Sequence, residues 1–370
     1  MGAELARIAR RRGLAGYPKP RKDGAGALVV EFSPALASLC MWYHRTSSRV
    51  LWDLYSSHAP RLEPLYDDLL SLIGQDNRGY LQQDFTLSVA VRGQAHFAAG
   101  ERQVVGTVKN AIVDGARARG VQARVDPERP DVHFLVQIKA DGQVLVSIDL
   151  GGRPMNQRGY RLSGSEAPLK ENLAAIMVML ARHDCRTETL VDPMAGTGTL
   201  AIEAACLAQG RAVWTAGRTP AGQFLPELRA LNAVASPLFP DTQANIIANE
   251  LEVDRAALIT AHADRAQVTS QLTVHTGDFR DLTLQQPGIT GQAPQQGLFL
   301  CNPPYGERLA QSELAQLYRD LGHYCRSFAG FRTAVLVAND DFERAFGGRP
   351  RVKKPLSNGQ LRSYFLLYDG

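Results

Sequence analysis

The sequence predicts an α/β protein in which a doubly wound, mostly parallel sheet follows a smaller α+β domain. From residue 189 onward, short apolar segments typical of buried strands alternate with segments of helical periodicity, as they do in parallel sheets. Before residue 152, two strand-like runs are joined through Asp141-Gly142, a typical hairpin turn. The length of 370 residues fits two domains at roughly 100–200 residues each.

Three segments are predicted along the chain. Residues 1–26 are expected to form a basic helix (4–14) and a linker, because they carry seven Lys/Arg against two acidic residues. Residues 27–152 form the α+β domain, with strand-like runs at 27–32, 85–91, 132–138 and 144–150, a helix at 104–119, and helical or mixed structure at 34–55. Residues 153–370 form the doubly wound domain.

Within the doubly wound domain, strands are predicted at 189–194, 246–250, 272–276, 297–301 and 333–338, and helices at 200–208, 253–266 and 314–328. The C-terminal segments 354–356 and 362–368 flank Asn358-Gly359 and predict a hairpin that adds an antiparallel strand. Two irregular stretches, 210–242 and 285–297, are expected to be loops or excursions from the core.

Composition excludes several protein classes. No apolar run approaches the roughly 20 residues needed to span a bilayer, and no secretory signal pattern opens the chain, so we expect a cytoplasmic protein without a membrane partner. Five widely spaced cysteines without a C-x-x-C pair argue against disulfides and against a metal site. The net charge of +4 does not indicate a nucleic-acid partner, and the basic clusters at 7–22 and 349–354 are read from charge alone as solvated surface.

The first candidate motif, Asp192-Pro-Met-Ala-Gly-Thr-Gly-Thr199, follows an apolar strand and opens a helix. Ligands of doubly wound sheets bind at such positions, and glycines let the backbone approach them closely. The spacing fits neither G-x-G-x-x-G nor a P-loop, which disfavours dinucleotides and ATP. Asp192 suits a cationic ligand such as S-adenosylmethionine, which carries an ammonium and a sulfonium. The alternative is a glycine pair that serves only a tight turn.

Two further motifs end the following strands. The carboxylate of Glu250 can accept hydrogen bonds from ribose hydroxyls, although Glu252 competes for this role and either residue can be a solvated carboxylate. Asp278 can accept from an adenine amino group with Phe279 beside the ring, or it can be an ordinary turn aspartate.

The most specific motif is Asn302-Pro303-Pro304-Tyr305, directly after a strand. Consecutive prolines form a rigid extended turn that presents carbonyl oxygens outward. The Asn302 side-chain oxygen and the Pro303 carbonyl can accept both N–H bonds of a base amine, and they bind it more strongly as its nitrogen becomes positive during methylation. Tyr305 can stack on the unstacked base. This chemistry needs no strong base, so the eight histidines are expected to be structural or surface residues.

Several segments resemble THUMP-domain RNA methyltransferases, and among them the RlmL-like guanine-N2 methyltransferases of bacterial 23S rRNA. The resemblance lies in residues 108–119, 126–131, 158–161, 167–173, 192–204 and 301–309. It implies a Rossmann-like class I methyltransferase sheet, a THUMP-type RNA-binding region at 27–152, and S-adenosylmethionine as the cofactor. It also implies three sets of residues: a cofactor site of Asp192, Met194, Gly196, Thr197, Gly198, Glu250, Asp278 and Phe279; a guanine site of Asn302, Pro303 and Tyr305; and an RNA or cofactor contact at Arg158, Arg161 and Lys170, for which a linker salt bridge is the alternative.

Several alternatives stay open at this point. A tRNA guanine-N2 methyltransferase keeps the chemistry and changes the RNA, although the first module resembles the rRNA enzymes more closely. A non-catalytic RNA-binding protein and a DNA adenine methyltransferase are less favoured. Two departures from the family are expected: the usual first strand before the N-terminal helix is missing, and only one of the two fused methyltransferase halves of some relatives is present.

Overall fold

The computed structural model describes the chain except for residues 15, 18, 24–25, 59–60, 76–80, 94–98, 163–168, 215–220, 230–235, 285–293, 306–309, 339–340 and 359–360. The chain divides into two compact units. The first unit comprises residues 2–155 and 217–235, and the second comprises Met1, 156–216 and 236–370. No helix in the described part of the chain has the length and hydropathy needed to cross a membrane.

The first unit is built on a five-stranded sheet in the order β3-β7-β6-β4-β5. Strands β6 and β7 form the expected antiparallel hairpin, and Gly142 adopts a φ of 82° between them. The elements are α1 (Gly2–Arg11), the two-stranded ribbon of β1 (Arg21–Asp23) and β2 (Ala27–Val29), α2 (Pro34–Tyr43), β3 (Leu51–Ser57), α3 (Leu62–Gln75), β4 (Phe85–Arg92), α4 (Glu101–Ala118), β5 (Ala123–Val125), β6 (Val132–Ile138) and β7 (Val144–Asp149).

The second unit is built on a seven-stranded sheet in the order β10-β9-β8-β11-β12-β14-β13. Strands β8 to β12 are mutually parallel, while β14 pairs antiparallel with both β12 and β13, which confirms the predicted closing hairpin. The elements are α5 (Glu171–Ala181), β8 (Thr189–Asp192), α6 (Thr199–Gln209), β9 (Ile246–Glu250), α8 (Val253–Arg265), β10 (Leu272–Thr276), β11 (Gly297–Cys301), α9 (Gln311–Arg326), β12 (Phe331–Val337), α10 (Phe342–Phe346), β13 (Val352–Asn358) and β14 (Leu361–Tyr368).

Both faces of the second sheet are buried. Consecutive residues of one strand enter opposite hydrophobic clusters: Leu298 packs with residues of α5, α6 and α8, whereas Phe299 packs with residues of α9 and α10. This arrangement explains why the central strands read as continuous apolar runs, since parallel strands covered by helices on both sides have no solvent face.

A segment from the middle of the second unit's sequence packs in the first unit. It contains the short helix α7 (Pro226–Arg229), and its Leu225 and Leu228 are buried. The Gly222 N–H donates to the Leu150 carbonyl at 2.8 Å. The excursion expected at 210–242 therefore belongs partly to the first unit. Helix α1 belongs there too, with Leu5 buried, so the N-terminal segment and 27–152 are one compact body.

Candidate functional site

The four predicted motifs follow four adjacent parallel strands, β10, β9, β8 and β11. The carboxyl ends of parallel strands meet at one edge of a sheet, and the chain order reverses direction at β8, with β9 on one side and β11 on the other. This switch point is where a doubly wound sheet opens a crevice for ligands. The structure thus brings the residues of all four motifs to one rim.

The turn after β8 requires its two glycines for different reasons. Gly198 has a φ of 84°, and a Cβ added there would lie 2.7 Å from the Ile259 side chain. Gly196 has a φ of 58° with open space where a side chain would point, and its N–H donates to the Glu250 carboxylate at 2.8 Å. Gly198 therefore permits close packing against α8, whereas Gly196 leaves room above the rim for a ligand.

Asp192 is a buried carboxyl group at the end of β8. It is 1% exposed, and it accepts a hydrogen bond from the Met194 N–H at 3.3 Å. Burial raises the pKa of Asp192 to about 8, and the negative charge of Glu250 acts in the same direction. Because no cationic side chain among the described residues offsets this penalty, binding of a positively charged ligand would stabilise the ionised carboxylate. Met194 itself is half-buried against the core.

Glu250 is favoured over Glu252 for a ligand contact. The two oxygens of Glu250 accept from the Gly196 N–H at 2.8 Å and the Glu252 N–H at 3.2 Å, which fixes the carboxylate and leaves each oxygen a second lone pair. The side chain of Glu252 instead points to solvent and pairs with Arg255 at 3.1 Å.

The turn after β10 contains Asp278, which lies where it was expected, and Phe279, which does not. Asp278 caps a 3₁₀ turn, accepting from the Arg280 N–H at 2.9 Å, and remains partly exposed. Phe279 is only 5% exposed, with its ring edge-on to Tyr324 at 5.5 Å. The side chain belongs mainly to the core, which corrects the expectation that its ring lies beside an adenine. Leu251, 66% exposed and next to Glu250, is an apolar surface that sequence reasoning missed.

Asn249 is a second residue that sequence reasoning missed. It is buried in β9, and its side-chain amide donates to the carbonyls of Pro193 at 3.1 Å and Gly277 at 3.0 Å. Its own carbonyl accepts from the Ala195 N–H at 2.8 Å. Asn249 thus joins the turn after β8 to the turn after β10. The signal in the sequence was a polar side chain inside an apolar strand.

The diproline corner follows β11. The Tyr305 hydroxyl donates to the Asn302 side-chain oxygen, and the Tyr318 hydroxyl, from α9, donates to the Pro304 carbonyl at 2.7 Å. Among the described residues, none donates a hydrogen bond to the Pro303 carbonyl. The rest of the segment used for the resemblance, residues 306–309, lies outside the described residues.

The basic residues before α5 have different positions. Arg158 is fully buried and pairs with the equally buried Glu203, Nε to Oε1 at 3.4 Å. Arg161 donates to the Thr199 hydroxyl at 3.0 Å and lies 3.2 Å from Glu171. Both arginines form ion pairs inside the second unit, as the salt-bridge alternative predicts, and the complete burial of Arg158 disfavours a contact with RNA. Lys170 is exposed at the start of α5.

His262 is a buried histidine on α8 that supports the glycine turn. Its Nδ1–H donates to the Thr197 carbonyl at 3.1 Å, while Nε2 accepts from the Leu162 N–H at 3.1 Å. Burial lowers the pKa of His262, which keeps the ring neutral and able to make both bonds. The residue therefore has a structural role close to the site.

Comparisons with known proteins agree with this geometry. The profile of a family described as "RMKL-like, methyltransferase domain" matches residues 158–364. The chain is 31% identical over 362 residues to the ribosomal RNA large subunit methyltransferase K/L of Alteromonas mediterranea, covering 94% of this chain and 50% of that protein. The chain thus spans about half the length of the relatives it matches.

Two solved structures show a similar fold. One is described as a predicted N6-adenine-specific DNA methylase from Listeria monocytogenes, with a TM-score of 0.81, 24% identity, and coverage of 100% of this chain and 92% of that one. The other is a methyltransferase in complex with SAH, with a TM-score of 0.78, 23% identity, and coverage of 99% and 95%.

Proposed function

Because the chain belongs to the RMKL-like methyltransferase domain family, we propose that it methylates the exocyclic 2-amino group of a guanine in RNA, with S-adenosylmethionine as the donor and 23S rRNA as the favoured substrate. One observation carries the proposal. Strand β11 pairs with β8 in parallel, Phe299 opposite Val191, so the acceptor-bearing corner follows the strand directly beside the glycine turn. A base amine and a methyl donor held at those two positions are neighbours.

The described residues fit S-adenosylmethionine, which when bound supplies an electrophilic methyl group. Asp192 offers a buried carboxylate to which no described side chain brings a positive charge, and this suits the ammonium of the ligand. Glu250 holds free lone pairs for the ribose hydroxyls, and Asp278 offers an acceptor for the adenine amine. The exposed Leu251 supplies an apolar surface for the adenine face in place of Phe279.

The corner after β11 fits a base amine better than a hydroxyl or thiol nucleophile. A base amine carries two N–H donors, and the Pro303 carbonyl and the Asn302 side-chain oxygen are two acceptors. As the nitrogen loses conjugation and becomes positive, fixed dipoles at these acceptors stabilise it. The Tyr305 hydroxyl already occupies one lone pair of Asn302, which orients the amide and leaves the second lone pair for the base.

The first unit is proposed to be the THUMP-type RNA-binding region. Its support is the resemblance of residues 108–119 and 126–131, together with exposed basic side chains at residues 10–12 of the N-terminal helix and the turn that follows it. Such side chains can contact phosphates without reading sequence. Lys170 in the second unit is a further candidate for a phosphate contact.

Nucleoside mapping tests the proposal. The purified chain and labelled S-adenosylmethionine are incubated in three separate reactions with unmodified 23S rRNA, unmodified tRNA or duplex DNA. The nucleic acid from each reaction is then digested and analysed by mass spectrometry. We expect N2-methylguanosine from 23S rRNA. The same product from tRNA alone would select the tRNA enzyme, while N6-methyladenine from DNA would reject the proposal.

The Asn302→Ala variant identifies the reacting corner. We expect turnover to be lost while the affinity for S-adenosylmethionine, measured by titration calorimetry, stays within a few-fold, because Asn302 is not part of the donor pocket. Undiminished turnover would remove Asn302 from catalysis. A wild-type chain that binds no S-adenosylmethionine would instead support a non-catalytic RNA-binding protein.

A further inference from the structure

Helix α9 contacts both sides of the proposed site through two tyrosine hydroxyls. Tyr318 donates to the Pro304 carbonyl at 2.7 Å, in the corner after β11. Tyr324, six residues further along, donates to the Leu282 carbonyl at 3.0 Å, at the end of the turn that begins with Asp278. Both rings are buried, so both hydroxyls are fixed by the core and not by solvent.

We propose that these two tyrosines are positioning residues with separate tasks: Tyr318 orients the corner that holds the base amine, and Tyr324 orients the turn that holds the adenine of the donor. This inference rests on the proposed function. Helix α9 lies outside all four sequence motifs, and the proposal assigns to it the alignment of the nucleophile with the methyl donor. The reaction rate depends on this alignment.

Tyr318 supplies a constraint that the prolines alone lack. Proline rings fix φ near −65° at residues 303 and 304, and Pro304 also restricts ψ at Pro303 to extended values, but ψ at Pro304 remains free to turn its carbonyl. A hydrogen bond to the Pro304 carbonyl restricts the direction of that peptide and, through it, the Pro303 carbonyl one residue earlier. The Tyr318 ring is itself held edge-on against Phe342 at 4.7 Å, so its hydroxyl is a fixed reference point.

Tyr324 supplies the matching constraint on the donor side. The 3₁₀ turn closes with the Leu282 N–H donating to the Phe279 carbonyl at 3.1 Å, and Asp278 caps its other end. Restricting the Leu282 carbonyl therefore restricts the turn that positions Asp278. A second link to α9, Arg280 to Asp320 at 3.5 Å, shares this task, so the loss of the Tyr324 hydroxyl should weaken the turn without releasing it.

Tyrosine-to-phenylalanine changes test this division because they remove one hydroxyl and keep the ring. Tyr368→Phe is the matched control: its hydroxyl is also buried in the second unit, but it has no hydrogen-bond partner within the described chain. Deleting it removes a hydroxyl without removing a bond, so neither kinetic parameter should change.

The kinetic experiment uses the full chain, unmodified 23S rRNA and S-adenosylmethionine. The net free energy of a single hydrogen bond typically corresponds to a change of at most about tenfold in a rate constant or a dissociation constant. We expect Tyr318→Phe to lower kcat by roughly tenfold with an unchanged donor Kd, and Tyr324→Phe to raise the donor Kd by roughly fivefold with kcat at saturating donor nearly retained. Equal effects of both variants on both parameters would overturn the division of tasks.

Amide hydrogen exchange gives a readout that does not depend on activity. Tyr318→Phe should speed exchange in the peptide that contains Asn302 and Tyr305, and Tyr324→Phe in the peptide that contains Asp278 and Leu282, with no crossover. If wild type methylates no RNA but this pattern appears, the proposed function fails while the positioning roles stand. If exchange and kcat of Tyr318→Phe both match wild type, its positioning role is refuted.

Discussion

Titration of Asp192 should link pH to both stability and donor binding. The carboxyl changes its pKa from 3.8 in the unfolded chain to about 8 in the folded one. This difference in pKa corresponds to a contribution of at most about 6 kcal/mol to the free energy of unfolding. Because the folded state holds the proton more tightly, this contribution is fully present below pH 4 and is lost as the pH rises to 8.

Asp192→Asn removes this titration while keeping the shape of the side chain and an oxygen for the Met194 N–H. In the absence of donor, we expect the variant to be more stable than wild type at pH 8. The difference should shrink steadily as the pH falls toward 3, because the wild-type carboxyl then takes up its proton in the unfolded state as well. Urea unfolding at a series of pH values measures the free energy of unfolding of each protein.

Donor binding should show the opposite preference. The ammonium of S-adenosylmethionine binds best to the ionised carboxylate, so the wild-type Kd should fall by up to tenfold per pH unit as the pH rises from 6 toward 8. Asp192→Asn should bind more weakly with a flat pH profile. A wild-type Kd that is constant between pH 6 and 8, or an Asn variant that is never more stable than wild type, would refute the assignment of a neutral buried carboxyl.

Three further changes test residues that support the site or the core of the first unit. Asn249→Leu leaves two buried turn carbonyls unpaired, and we expect urea unfolding to show a loss of about 2–4 kcal/mol together with weaker donor binding. Gly198→Ala, at a φ of 84°, should lower the free energy of unfolding by about 1–3 kcal/mol and weaken donor binding, whereas Gly106→Ala, inside α4 with open space where a Cβ would lie, should do neither. A chain of residues 1–155 lacks the two buried leucines of 221–229, so it should bind a hydrophobic dye that the full chain does not, and unchanged dye binding would contradict their role in the first unit.

The motifs of the site could be predicted because each is local. A glycine turn, a terminal carboxylate or a diproline corner lies next to the apolar strand that positions it, and the parallel order of the strands brings their ends together. The residues that hold these motifs in position could not be predicted in the same way. Asn249 contacts Pro193, 56 residues earlier, and Tyr324 contacts Leu282, 42 residues earlier, so each pairing depends on how the sheet and helices assemble.

Two expectations failed for a related physical reason. Phe279 adjoins Asp278 in sequence and Arg158 lies in a segment of the family resemblance, but the burial of each is decided by what packs on it from elsewhere. For Arg158, a signal was available: Glu203 lies in the apolar segment of α6, and a carboxylate in such a helix needs a buried partner. For Phe279 the partner is an aromatic ring on α9, and no local pattern announces it.

The two sides of the proposed site differ in charge, and this difference predicts how turnover depends on pH. The acceptors that the described residues offer the base amine are a carboxamide oxygen and a peptide carbonyl, neither of which titrates. The donor side contains Asp192, whose carboxyl titrates near pH 8. At saturating donor and RNA, kcat should therefore change little between pH 6.5 and 8.5, whereas the KM for S-adenosylmethionine should fall as the pH rises from 6.5 to 8. A kcat that rises tenfold per pH unit while KM stays constant would show that a base removes the amine proton in the rate-limiting step, and the neutral corner would then be an incomplete description of the catalytic group.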